Sequence, residues 1–160
     1  MSIEVRLTKM GAAKMRIREL TKKDYESWHP LWQAYLKFYK SEVTDEVTRQ
    51  TFDRLTDGGD QMGAFAAEMD DGALGGIVHW LRHPSTWTAA DYCYLQDLFV
   101  SESGRGQGTG RALINAVYTR AGELGCDRVY WLTHETNAAA MTLYDKVAEK
   151  SGFVQYRKIL

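Results

Sequence analysis

The sequence predicts an α/β (α+β) domain, a mixed sheet flanked by helices in the order β-α-α-β-β-β-α-β-α-β. Three observations lead there. Apolar stretches of strand length alternate with stretches of helical period. Trp28, Trp32, Tyr35 and Tyr39 form an aromatic stripe at helical spacing. The apolar run "YLQDLFV" breaks into "SESGRGQGTG" and resumes as a helical pattern, so a strand enters a helix through a glycine-rich turn.

Residues 1–14 are weakly patterned and read as an N-terminal extension that could be disordered; a single domain then occupies 15–160. Met15 and Ile17 alternate in "MRIREL", a strand. The aromatic stripe follows as a helix with Pro30 near its start. "TDEVTRQTFDRLTDGG" carries acidic residues in its first turn, an apolar face of Val47, Phe52 and Leu55, and glycines after its end, which together make a second helix. "MGAFAAEMDDGALGGIVHWLR" reads as two strands around a tight turn at Asp70-Asp71-Gly72, and "DYCYLQDLFV" as the next strand. Past the glycine turn, Leu113, Val117, Ala121 and Leu124 give a helix its buried face and Gly125 stops it. "DRVYWLTHE" is a strand, "NAAAMTLYDKVAEK" a helix with Asn137 as N-cap, and "FVQYRKI" a last strand.

At 160 residues the chain can bury a full core, and its 44% hydrophobic and 26% charged residues are those of an ordinary globular domain. Twenty basic against twenty-one acidic residues give a net charge of -1, which argues against a general nucleic-acid binder. Cys93 and Cys126 are too few for a disulfide framework, and the N-terminus lacks a signal-peptide core, so a cytoplasmic setting is expected. No apolar stretch is long enough for a membrane span. His29, His79 and His83 lack ligand spacing, and no metal site is read.

The glycine turn carries the chemistry. Unpaired N–H groups and the helix dipole make a helix start an anion site. Glycines at 106, 108 and 110 clear side chains from the approach of a diphosphate, and Arg105 adds a forked donor. It is not a P-loop, because Gly110 is followed by Arg111-Ala112 where that loop needs Lys-Ser/Thr. Nor is it a dinucleotide fingerprint, since "GQGTG" spaces its glycines as G-x-G-x-G.

"RGQGTG" resembles the R/Q-x-x-G-x-G/A signature of the GNAT N-acetyltransferases through Arg105, Gly108 and Gly110. "YLQDLFV" is similar to the preceding strand of the spermidine/spermine acetyltransferases and of the yeast histone and polyamine acetyltransferase subgroup, and "YWLTHETNAAAMTLYDKV" to the next strand and helix. The resemblance implies a GNAT-like fold with two splayed central strands. It also implies an acetyl-CoA co-substrate whose pyrophosphate lies on Arg105, Gly106, Gln107, Gly108, Thr109, Gly110 and Arg111. It places freed backbone N–H groups near Leu98 and Val100 along the pantetheine arm, although those residues also suit plain core packing. Tyr144 falls where many members keep a tyrosine beside the thioester sulfur as general acid. Asn137 falls where an asparagine contacts the pantetheine, and equally suits a helix cap.

Attack by an amine on a thioester needs a neutral amine, donors for the developing oxyanion and a proton for the thiolate. The base is left open. Related polyamine enzymes carry a glutamate where this chain has Gln96, and glutamine cannot take that proton. Asp97 points to the opposite face of a regular strand unless a bulge intervenes. Glu135, Asp91 and His134 are the other candidates, each also suited to a surface or strand-end role. Between Tyr144 and Gly152 lie seven residues where the family commonly has three, which would lengthen the helix by a turn.

The resemblance places the acceptor pocket on the first two helices and the loop before the glycine-side strand, with Trp32, Trp87, Asp91 and Gln96 as contacts; aromatics with carboxylates suit a cationic amine. The expected function is transfer of an acetyl group to a primary amine of a small molecule or a protein lysine, in a homodimer that shares C-terminal strands by analogy with the family. A non-catalytic acyl-CoA sensor and a different nucleotide-binding enzyme are the rival readings.

Overall fold

In the computed structural model, which describes residues 5–6 and 14–160, six strands lie side by side in the order of the chain. They are β1 (Val5–Arg6), β2 (Arg16–Glu19), β3 (Met62–Glu68), β4 (Leu74–His83), β5 (Tyr92–Val100) and β6 (Arg128–Tyr130). Neighbours are antiparallel up to β5. The pair β5–β6 is parallel and needs a crossover, which α3 (Thr109–Glu123) supplies. The rest of the expected extension at 1–14, apart from β1 and Lys14, lies outside the described residues.

Alternation along the strands builds two cores. Ala64, Ala66 and Ile77 face α1 (Tyr25–Phe38) and α2 (Asp45–Leu55), where Trp28, Leu31, Trp32, Leu36, Phe52 and Leu55 are buried. Phe65, Ala67, Val78, Cys93 and Leu95 face α3, whose Leu113, Val117 and Ala121 are buried at the predicted spacing. Leu143 and Tyr144 of α4 (Ala138–Val147) pack on that second core. The turn at residues 69–73 closes as expected, with the Met69 N–H donating to the Ala73 carbonyl at 2.9 Å. Thr44 caps α2 by accepting from the Val47 N–H at 3.2 Å.

Three expectations change. The last strand does not form: residues 151–160 have no strand and are exposed, because β6 offers a ladder of only three residues. β6 itself ends at Tyr130, well before the end of "DRVYWLTHE". And α4 is not lengthened. It stops at Val147, where Ala148 turns extended; Glu149, Lys150 and Ser151 offer no apolar side chain to continue its buried face.

Candidate active site

The ladder between β4 and β5 slips by one residue: His79 pairs with Asp97 but Trp80 pairs with Leu95, so Gln96 is a bulge. The slip carries Asp97 onto the face that α1 covers and returns Leu98 and Val100 to the α3 core. On the other edge, β6 pairs with β5 only from Tyr92 to Tyr94. Beyond Tyr94 the two strands separate, and the splayed opening begins at the bulge.

The register also fixes which amides face that opening. The Ser101 N–H donates to the directly opposite Gly75 carbonyl at 3.0 Å, so Ser101, Phe99 and Asp97 are the residues that exchange bonds with β4. Leu98 and Val100 alternate with them, and their N–H and C=O groups turn toward the vacated β6 side. They serve the core through their side chains and the gap through their backbone.

At the mouth of the opening lies the glycine turn. Gly106 and Gly108 have φ of 73° and 78°, and a Cβ on either would meet nothing within 4 Å. No hydrogen bond among the described residues takes up the N–H of Gly106, Gln107, Gly108, Gly110 or Arg111. Arg105 and Arg111 are exposed on either side. Open space, unclaimed donors and two guanidiniums fit a diphosphate. Two turn residues serve the turn itself. Gln107 donates to the Ser103 carbonyl at 2.7 Å, and the buried Thr109 hydroxyl donates to the Gly104 carbonyl at 2.6 Å. Gly110 packs against Leu143 of α4, so its missing side chain admits that helix.

Inside the opening, Asp97 is nearly enclosed. Its carboxylate lies 2.9 Å from Nδ1 of the buried His79, and the Tyr35 hydroxyl of α1 is within hydrogen-bonding reach. Burial first, then the Asp97 charge, push the Tyr35 phenol far up. Tyr94 is raised by the same two causes. From the opposite face, Tyr144 stands edge-on to Trp131 with ring centroids 5.4 Å apart. Burial, with Tyr39 adding to it, pushes the Tyr144 phenol up to about 12.

Other expected residues stand elsewhere. Trp32 is a buried core residue stacked between Trp28 and Tyr35. Asp91, at the far end of β5, is held by the Arg82 guanidinium at 2.6 Å and does not reach the bulge. Trp87 is 73% exposed on its loop, where its ring stands edge-on to Phe153 of the C-terminal segment. Gln96 is exposed in the bulge. Glu135 is exposed in the turn before α4, where His134 bonds the Thr136 hydroxyl at 2.7 Å. Asn137 makes no side-chain cap, which removes the capping reading; its Nδ2 donates to the Thr133 hydroxyl at 3.2 Å.

Sequence reasoning passed over the partnership of His79 with Asp97 and the Gly75–Gly104 contact, and raised the bulge only as a condition on Asp97. The bulge did leave a trace. Apolar core residues of β5 run Cys93, Leu95, Leu98, Val100, a spacing of two, three, two, and the three marks the inserted residue.

A parted parallel pair, amides aimed into the gap and an anion cradle at its mouth define an acyl-transfer site for a thioester carried on a diphosphate. Residues 18–148 match the acetyltransferase (GNAT) family, and the chain belongs to that family. It is an N-acetyltransferase whose acetyl donor is acetyl-CoA. The chain is 38% identical over 151 residues to D-amino-acid N-acetyltransferase HPA3 of Saccharomyces cerevisiae, covering 94% of each. It is 29% identical over 80 residues, half of this chain and 35% of the relative, to L-ornithine N5-acetyltransferase NATA1 of Arabidopsis thaliana. Among solved structures, AAC(6')-Iy in complex with a CoA-based bisubstrate analogue superposes with a TM-score of 0.78 at 22% identity, over 91% of this chain and 99% of that one.

Proposed function

We propose that this chain acetylates the primary amine of a small free molecule of the amino-acid or diamine class, with Asp97 as proton acceptor and Tyr144 as proton donor. The carrying observation is the Gln96 bulge, which brings Asp97 to the opening while Tyr144 enters from the other face. Acetyl-CoA supplies an activated acyl carbon. The chain's own residues do the rest. The turn from Arg105 to Arg111 orients the donor, and the Leu98 and Val100 amides face the acyl group. Asp97 attracts the ammonium and takes one proton from it. Tyr144, held protonated by burial, delivers a proton to the departing sulfur. In balance, one carbon–sulfur bond breaks, one carbon–nitrogen bond forms, the thiol leaves with a proton and one proton reaches solvent.

The acceptor class is supported by a wall of Tyr35, Tyr39 and Tyr94 beside one carboxylate, suited to a compact cation. The names of the yeast and plant relatives point the same way, and the yeast match also favours the yeast subgroup within the family. A thiol-release assay over D- and L-amino acids, ornithine, polyamines, an aminoglycoside and a lysine peptide tests it. Turnover with free amino acids or diamines is expected; turnover confined to the peptide overturns the acceptor class. Asp97→Asn should lower turnover by about 10²-fold or more.

We also infer pairing of copies through the C-terminal segment. Phe153, Val154, Tyr156 and Ile159 are exposed, and β6 is an edge strand. Removing residues 151–160 should convert a dimer to a monomer in light scattering; a monomeric full-length chain overturns this. The free thiols Cys93 and Cys126 support a cytoplasmic setting.

A further inference from the structure

Trp28 of α1 is fully buried, and its indole N–H donates to Nε2 of His79 at 2.9 Å. An indole nitrogen is a donor only. Nε2 therefore carries its lone pair, the imidazole is neutral, and its single proton sits on Nδ1, 2.9 Å from the Asp97 carboxylate. The contact between His79 and Asp97 is thus a hydrogen bond from a neutral donor and not an ion pair. The surroundings are consistent with that state. Trp28 and Trp32 flank the ring at 5.9 and 5.5 Å, and Ala64 of β3 lies opposite it in the ladder. Tyr35 from α1 and Tyr94 from β5 face the carboxylate, and α2 brings Thr48 and Phe52 to the two indoles while its Arg49 lies over the Tyr25 ring. Asp97 is the one charged side chain in contact with the imidazole among the described residues.

We propose that Trp28 and His79 are positioning residues that act as a tautomer lock: the indole N–H denies His79 a second proton, so Asp97 is oriented by hydrogen bonding while its negative charge is left for the acceptor amine. This rests on Asp97 being the proton acceptor. An imidazolium in the same place would satisfy the carboxylate electrostatically and make it a poorer base. A neutral donor aims the oxygen without cancelling it.

Two measurements test the lock. Nitrogen NMR of the wild-type histidines, read without substrate or turnover, should show His79 protonated on Nδ1 and bare at Nε2 from pH 6 to 9; a charged ring or the opposite tautomer overturns the lock and leaves the acetyltransferase reading standing. In kinetics, Trp28→Phe removes the N–H and frees His79 to take a proton. The ratio of its kcat/KM to that of wild type should fall about tenfold between pH 9 and pH 6. His79→Gln offers Asp97 a neutral N–H and Trp28 an acceptor oxygen, so it should keep most of the activity with an unshifted profile. In the double variant Trp28→Phe/His79→Gln no imidazole is left to take a proton, and the pH-dependent loss relative to wild type should vanish. A flat ratio in Trp28→Phe, or a loss that persists in the double variant, overturns the proposal.

Discussion

Gly104 lies directly against the carbonyl oxygen of Gly75, so that a Cβ on Gly104 would penetrate it. The same carbonyl accepts from the Ser101 N–H and the Ser101 hydroxyl, at 3.0 and 3.1 Å. The start of β4 therefore anchors the entry to the glycine turn through one oxygen. Since backbone cannot rotate away as a side chain can, Gly104→Ala must shift the turn. Overpacking of this kind costs about 1–3 kcal/mol. The variant should melt several degrees lower and show a higher KM for acetyl-CoA, with acceptor KM little changed. Unaltered melting and cofactor KM would show that the turn is not anchored here.

Within the turn, Gly108 separates conformational from steric demands. It has a left-handed φ of 78° and open space where a Cβ would stand. Gly108→Ala should cost about 1–2 kcal/mol of stability, the penalty for a Cβ in that conformation, while acetyl-CoA still binds. Gly108→Leu fills the cradle and should abolish binding at equal or smaller loss of stability. Calorimetric titration with acetyl-CoA beside thermal melts checks both, and retained affinity in Gly108→Leu would remove the diphosphate from this turn.

Tyr144→Phe keeps the edge-on packing with Trp131 and loses only the hydroxyl. Turnover should fall about 10²-fold or more, the usual worth of a placed general acid, with KM for acetyl-CoA nearly constant. In wild type the raised phenol stays protonated well past neutrality. Plots of kcat against pH should therefore show no falling limb from this group near pH 10. Such a limb, or a fully active variant, refutes proton donation by Tyr144.

Much of this site was legible because main-chain geometry follows sequence closely where glycine and helix-start patterns coincide. The strand, the glycine turn and the helix start at Thr109 follow one another in the predicted order, and the register turns the Leu98 and Val100 amides away from β4. Side-chain partnerships were less legible. His79 sits in the apolar run "GGIVHWL", and nothing local says that a bulge seventeen residues later will set a carboxylate beside it. Asp91 and Asp97 look alike in sequence, yet Arg82 binds the first while the bulge sets the second beside His79. The missing last strand shows the same limit: "FVQYRKI" has strand propensity, but propensity does not provide a neighbour to pair with.

The cluster of raised phenols makes stability itself pH-dependent. Burial is the first cause at Tyr35, Tyr94, Tyr130 and Tyr144, and it favours the neutral form. A phenol whose folded pKa lies above its unfolded value of about 10 holds its proton longer in the native state. Its stabilising contribution is complete below about pH 10 and is lost as pH rises toward the folded value. The buried Cys93 thiol, pushed up to about 12 by burial and then by Cys126, adds a loss that begins nearer pH 9. For Tyr144 the difference amounts to at most about 3 kcal/mol, roughly half of it reached by pH 11. Urea midpoints measured from pH 8 to 11 should fall for wild type, and Tyr144→Phe should fall less steeply above pH 10, so that the two curves converge. Parallel curves would mean that the Tyr144 hydroxyl is solvated enough to ionise as freely in the folded protein as in the unfolded chain, and its place inside the opening would have to be given up.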